Sequence, residues 1–319
     1  MEIAEIYKLI LEGLEMPISY LLNPSKRLFY FYLVSSLILA YYVYYQSKIQ
    51  YSFLKYLFHK KVWTSKSAFV DYGLVFFNGI IKVFLIAPFL VFGLYISIYV
   101  NDFLVDVFNY PPFFLSQTQI LVLFTISITI LTDFSTYIVH LGMHKLPILW
   151  EFHKVHHSAT TLNPITQYRI HPIELIINNI KGILVFGVTT GIFDYLSDHQ
   201  VHKMMFFGAN IFSFIFMFWG ANLRHSSVKL KYFNFLEYVF ISPFQHQIHH
   251  SNLPEHYDRN LGAKLALWDW MFGTLVLSKS VSEIRFGLVK KDEKQLNSFL
   301  KNLWYPFLGV IRIFFPRKN

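Results

Sequence analysis

The sequence predicts an all-α integral membrane protein, with about four to five transmembrane helices and a helical cap on the cytoplasmic side. Three observations predict it: an apolar composition, apolar runs long enough to span a bilayer, and an uneven distribution of Lys and Arg. Hydrophobic residues make up 54% of the 319 and charged residues 15%, whereas a water-soluble domain carries about 25% charge. Intrinsic disorder is excluded on the same ground. The absence of cysteine excludes a disulfide-stapled fold, iron–sulfur clusters, thiolate zinc sites and cysteine nucleophiles.

A spanning helix needs about 20 mostly apolar residues. Leu28 to Tyr45 is the first candidate, flanked by Lys26, Arg27 and Lys48. Leu74 to Val100 is the second, with Lys82 able to snorkel. Ile120 to Ile138 is the third; Pro172 to Phe193 and Met204 to Ala221 are weaker fourth and fifth spans, readable also as a re-entrant pair. The N-terminal stretch opens with Glu2 and Glu5 and reads as an amphipathic surface helix rather than a cleavable signal. The tail from Leu303 to Phe315 reads as interfacial. With no internal repeat or linker, residues 1–319 form one membrane domain. Its parts are N-terminal membrane helices over 1–119, a core over 120–275 and an interfacial tail over 276–319.

The net charge is +9, but no aromatic-interleaved basic patch marks a nucleic-acid binder. The basic residues read as topology instead. No Lys or Arg occurs from Val83 to His144, whereas Lys48, Lys55, Lys60, Lys61 and Lys66 crowd one loop. An excess of Lys and Arg marks cytoplasmic loops. The loop at 47–73, the segment at 145–171 and everything from Arg224 onward then lie inside. The corresponding membrane is the inner membrane of a bacterium or the endoplasmic reticulum of a eukaryote.

Thirteen of the fourteen histidines lie between His140 and His256. Asp133, Tyr137, His140 and His144 share one helical stripe through spacings of three, four and seven. His153, His156 and His157 form a second stripe, His246, His249 and His250 repeat its pattern, and His225 stands alone. Clustered neutral imidazoles are costly without a partner, and a shared cation provides one. Eight or nine imidazoles exceed the four that a zinc site takes, which implies two metals. Haem would need only one or two axial histidines. Asp133 and Glu151 are candidates to orient a ligand ring. His59, His199 and His202 fall outside the cluster.

These residues carry a resemblance to the fatty acid hydroxylase superfamily, the sterol desaturase and lipid hydroxylase group of membrane di-iron enzymes. It runs from Asp133 to about Thr274. It includes the HxxxH motif, the Leu149–Ser158 block, Arg169-Ile-His171-Pro172-Ile-Glu174, His225-Ser226, the Pro243–Ser251 block, Asp258-Arg-Asn260-Leu-Gly262 and Trp268–Thr274. The resemblance implies metal ligation by His140, His144, His153, His156, His157, His246, His249 and His250, with His225 as an extra ligand. His171 belongs to the metals or to the shell around them. Asp133, Asp258 and Asn260 are further shell or ligand candidates, and His256 could fix the loop after the last motif.

The resemblance implies a catalytic core over 120–275 that holds two iron ions, replaceable by zinc in purified material. With O2 as co-substrate, it would hydroxylate a C–H bond of a sterol, fatty acyl, carotenoid or glycerol-ether lipid. Desaturation or carbon-chain cleavage would use the same cofactor, and no catalytic side chain is expected beyond the metal ligands. The sequence lacks a His-Pro-Gly-Gly element, a GxGxxG loop and cysteine, so electrons come from a separate donor: a cytochrome b5-like protein, a ferredoxin or a reduced pterin. A basic inner face suits docking of an acidic carrier. The reading from another class is a non-enzymatic metal carrier, which should place polar residues deep in several spans. Here Lys82, Asp133 and Lys181 are nearly the only charges there.

Overall fold

The computed structural model describes residues 3–197, 205–206 and 209–315. Among them the chain is helical, apart from a two-residue strand pair, Met205–Phe206 with Ala209–Asn210. The helices are α1 (Ile3–Ser19), α2 (Tyr30–Gln46), α3 (Phe53–Leu57), α4 (Lys60–Trp63), α5 (Lys66–Ile81), α6 (Phe92–Phe108) and α7 (Gln117–Lys145). They continue with α8 (Pro147–His157), α9 (Pro172–Ser197), α10 (Ile211–Phe218), α11 (Pro243–His249), α12 (Leu267–Met271), α13 (Lys290–Gln295) and α14 (Phe299–Phe314).

Among the described residues, three helical stretches are long and apolar enough to cross a membrane: Lys66–Phe108, Gln117–Lys145 and Pro172–Ser197. They contain the second, third and fourth expected spans. The second differs from expectation in not being one regular helix. Lys82–Ile86 forms a π-turn and Ala87–Phe89 a 3-10 turn between α5 and α6. Pro88 accounts for the break, because it lacks an N–H and its ring displaces the carbonyl four residues back. The first expected span is the 17-residue α2, just short of a bilayer crossing. In the region of the fifth, only Ile211–Phe218 is α-helical among the described residues.

Glycine lets two long helices approach closely. α6 packs along α9, and Gly187 and Gly191 lie one turn apart on the contact face. A Cβ built on Gly187 would meet Ile96 Cβ at 2.7 Å, and one on Gly191 would meet Ser97 O at 2.5 Å. Small residues four apart are how helices pack in lipid, where no hydrophobic force drives them together. The outward sides of α2 and α6 carry exposed apolar residues such as Ile38, Tyr45, Ile98 and Tyr99, as surfaces bathed in lipid require.

Each histidine-bearing helix is backed by its own apolar cluster. Val155 of α8 packs with Val70 and Leu74 of α5. Tyr137 of α7 packs with Leu261 and Trp268, and Phe244 and Ile248 of α11 pack with Val281. The helix starts are set locally. α8 and α11 begin with Pro147 and Pro243, whose missing N–H costs nothing in the first turn. Ser242 and Gln245 also form a reciprocal capping box at α11.

Candidate metal centre

α7 delivers His140 and His144 one turn apart, α8 delivers His153, His156 and His157, and α11 with its C-cap delivers His246, His249 and His250. His225 comes from the 3-10 turn after α10. These nine residues fall into two adjacent sets. His140, His144, His153, His157 and His249 form one, and His156, His225, His246 and His250 the other; within each set the ligand atoms lie within 4.8 Å of one another. The rings of His157 and His250 stack at 4.7 Å across the boundary.

The nitrogen spacing fits a shared cation. The Nε2 of His225 lies 3.3 Å from that of His156, 3.1 Å from His250 and 3.2 Å from His246, and His250 and His246 are 3.2 Å apart. A metal with nitrogens at about 2.0–2.1 Å spaces its ligands by about 2.9 Å at right angles and about 3.4 Å in a tetrahedron. In the other set, His153 Nε2 lies 3.1 Å from His140 Nε2 and 3.2 Å from His157 Nε2. The Nε2 atoms of His144 and His249 are buried with no hydrogen-bond partner, as lone pairs reserved for a metal would be.

The opposite ring atoms explain the orientation. His140 Nδ1 donates to Leu261 O at 2.7 Å, His249 Nδ1 to Arg259 O at 2.9 Å and His156 Nδ1 to Arg169 O at 3.2 Å. A carbonyl only accepts, so each Nδ1 holds the proton and each Nε2 presents a lone pair inward. A carboxylate does the same for His144, whose Nδ1 lies 3.2 Å from Asp258 Oδ1; Glu174 Oε1 lies 3.0 Å from His153 Nδ1 as a close polar contact without hydrogen-bond alignment. Burial pushes His153 and His156 down to about 3. It holds His157, His225, His246, His249 and His250 well below the ordinary histidine range. The rings are therefore neutral at pH 7, the form that ligates a metal.

The expected orienting carboxylates are different ones. Asp133 lies two turns below His140, and its oxygens accept from the backbone N–H of Lys264 and Leu265 and from Trp268 Nε1, each at 3.0 Å. It braces the 264–268 segment and touches no ligand ring. Glu151 pairs with Lys154 at 2.5 Å. Glu174 is the carboxylate nearest His153 because Pro172 starts α9 beside α8, which brings its first turn to that ring. Its place in a helix's first turn, where a carboxylate is common, masked that approach in the sequence.

His171 belongs to neither set. Its Nε2 donates to Leu303 O at 3.1 Å and its Nδ1 accepts from Ile173 N. Asp258 and Asn260 both have left-handed backbones, with φ 56° and 52°, which Asp and Asn tolerate best among residues with a Cβ. Asn260 ties Gln245 O to Val276 and so fastens the third histidine motif. His256 sits in a 3-10 turn, and His59 precedes α4; neither joins a set. His199 and His202 lie outside the described residues.

Arg169 has a larger role than sequence reasoning gave it. Fully buried, it pairs with Asp71 at 3.0 Å and donates to Val155 O and Ser158 Oγ. Its own carbonyl accepts from His156, so one residue joins α5, α8 and a ligand. Asp269 acts similarly, accepting from Leu261 N and Gly262 N at 2.7 Å and fixing the carbonyl that orients His140.

Two cavities flank the histidines. One of about 380 Å³ reaches His140, His153, His156, His225 and His246. On the far side, a cavity of about 330 Å³ reaches His144, His157, His249 and His250 beside Trp150. A larger apolar groove of about 840 Å³ runs between α2, α7 and α10, past Ile126, Ile130 and Phe212, and ends at Asp133 and Lys264. It is roomier than either, but it does not reach the two sets.

Residues 125–274 match the family described as fatty acid hydroxylase, in keeping with the resemblance of the histidine motifs. The chain is 28% identical to an alkylglycerol monooxygenase of Caenorhabditis elegans over 50% of this chain and 28% of that protein. It is 28% identical to the ornithine lipid hydroxylase OlsE of Rhizobium tropici over 56% of this chain and 48% of that one. It is also 28% identical to a human alkylglycerol monooxygenase, over 44% and 28%. The matches thus span from about a quarter to about half the length of these curated relatives. No solved structure gives a significant match.

Proposed function

We propose that this chain, whose residues 125–274 match the fatty acid hydroxylase family, is a membrane-bound di-iron oxidoreductase that uses O2 to hydroxylate a lipid C–H bond. The observation that carries the reading is the convergence of nine imidazoles into two adjacent sets of five and four, their nitrogens at metal-ligand spacing. The relatives' names favour an alkylglycerol or an ornithine lipid as first substrates to test.

When bound and reduced, the two irons supply the dioxygen activation that no acid or base side chain can. The protein's own residues do the rest. Asp258 and the carbonyls of Leu261, Arg259 and Arg169 hold the rings of His144, His140, His249 and His156 in one tautomer, and Glu174 lies beside His153. The cavity beside His140 and His225 receives the reacting part of the lipid.

The catalytic core spans 120–275 within one membrane domain of four to five crossings. The Lys and Arg distribution puts the histidines on the cytoplasmic side. A separate donor, cytochrome b5-like, ferredoxin or reduced pterin, supplies electrons there. The test is oxygen consumption by iron-reconstituted protein with a chemical reductant and each lipid, with product analysis to separate alcohol from alkene or cleaved chain. Lipid-dependent uptake coupled to an oxidised product is expected; none with any lipid, at full iron occupancy, would overturn it.

A further inference from the structure

The cavity beside His140 and His225 has an unusual charge balance. Besides histidines, its charged lining residues are Lys26, Arg27, Lys82, Arg224 and a single acid, Glu174. That acid lies against His153 Nδ1 at 3.0 Å rather than pairing with a cation. Among the described residues no carboxylate pairs with any of the four cations.

The partners of three of them are neutral. Lys82 Nζ donates to Tyr20 Oη at 2.7 Å and lies 5.1 Å from the Tyr20 ring and 6.0 Å from the Tyr168 ring. Lys26 Nζ lies 5.5 Å from the Tyr20 ring. The Arg224 guanidinium is 1% exposed, rests 4.6 Å from the Phe216 ring and donates to the carbonyls of Ala263 and Ile241, while its Nε has no partner. Aromatic faces and carbonyls hold cations in place without cancelling their charge. Several such cations round one cavity raise a positive potential within it. A cavity built only for a sterol or hydrocarbon would gain nothing from that arrangement, since desolvating each cation costs free energy.

We propose that this cavity binds an oxyanion, the phosphate or carboxylate headgroup of a lipid, through Lys26, Arg27, Lys82 and Arg224, and thereby holds the neighbouring carbons against the metal centre. The substrate class is an anionic lipid oxidised close to its headgroup. This rests on the reading of the centre as a lipid oxygenase, but binding can be measured apart from turnover.

The test uses the full metal-loaded chain in neutral detergent, with radiolabelled oleoyl lysophosphatidic acid and monooleoylglycerol, which share a chain and differ in the phosphate. The anionic lipid should bind at least about tenfold tighter. Lys82→Gln, which gives up one charge-assisted hydrogen bond to the Tyr20 hydroxyl at a half-buried position, should weaken it about tenfold and leave monooleoylglycerol unchanged. Lys26→Gln should act in the same direction, so the outcome does not depend on one variant folding. Equal binding of the two lipids, or full discrimination in both variants, would overturn the proposal. Millimolar inorganic phosphate should fail to displace the lysolipid; displacement by phosphate alone would make the occupant a free anion and overturn the headgroup assignment. Discrimination without lipid oxidation would retain the cavity's role and discard the oxygenase reading. Oxidation of monooleoylglycerol without discrimination would do the reverse.

Discussion

Replacing Glu174 isolates the part of the centre that the protein itself tunes. Its carboxylate lies 3.0 Å from His153 Nδ1, and the side chain is 7% exposed. A carboxylate this close makes the ring more basic; losing such a neighbour costs about 10–100-fold in metal affinity. Glu174→Gln keeps a polar oxygen beside the ring but removes the charge, so about tenfold is expected, ~1.4 kcal/mol. Glu174→Ala removes that oxygen as well, and the loss should approach about 100-fold, ~2.7 kcal/mol. His153 belongs to the five-histidine set, so the loss should fall there. The assay is chelator competition against metal-loaded protein in a His225→Ala background, where the five-histidine set alone retains its ligands. Gln and Ala variants that release metal at the parent chelator concentration would refute the reasoning.

Removing Arg169 while keeping Asp71 leaves a fully buried carboxylate with only Asn163 and Thr166 as partners. Arg169→Met should therefore destabilise the detergent-solubilised protein by about 3–5 kcal/mol, measured as a lowered thermal midpoint. Asp258 is 33% exposed and shared with Lys145, so Asp258→Asn should lower metal affinity less than Glu174→Gln in the same chelator competition. Gly191→Leu cannot fit against Ser97 and Val100 without parting α6 from α9, and should lower the thermal midpoint while Gly182→Leu, with open space at its Cβ, does not.

The histidine sets were legible in the sequence because a helix converts spacing into geometry. Residues three and four apart on α7, α8 and α11 had to share faces, and all nine expected ligands meet. What orients them was less legible. Asp133 shares the His140 stripe in sequence, yet a two-turn separation carries it to the 264–268 backbone. Glu174 comes from another helix, and its approach to His153 depends on how α9 packs on α8, which no local pattern encodes. The long spans were readable from hydropathy, but the break at Pro88 and the short α2 were not, since apolar composition is silent about backbone continuity. The cationic cavity was hidden because Lys26, Arg27, Lys82 and Arg224 are far apart in sequence and read there as flanking or snorkelling charges.

The most direct test of the two-set centre is the metal content per chain of purified protein, counting iron and zinc together, for the parent and two single variants. Two ions are expected in the parent, one in His246→Ala, which leaves only three imidazoles in its set, and two in His249→Ala, which still leaves four in the other. One ion in the parent, or two retained in His246→Ala, would contradict a centre built from two separate sets of imidazoles.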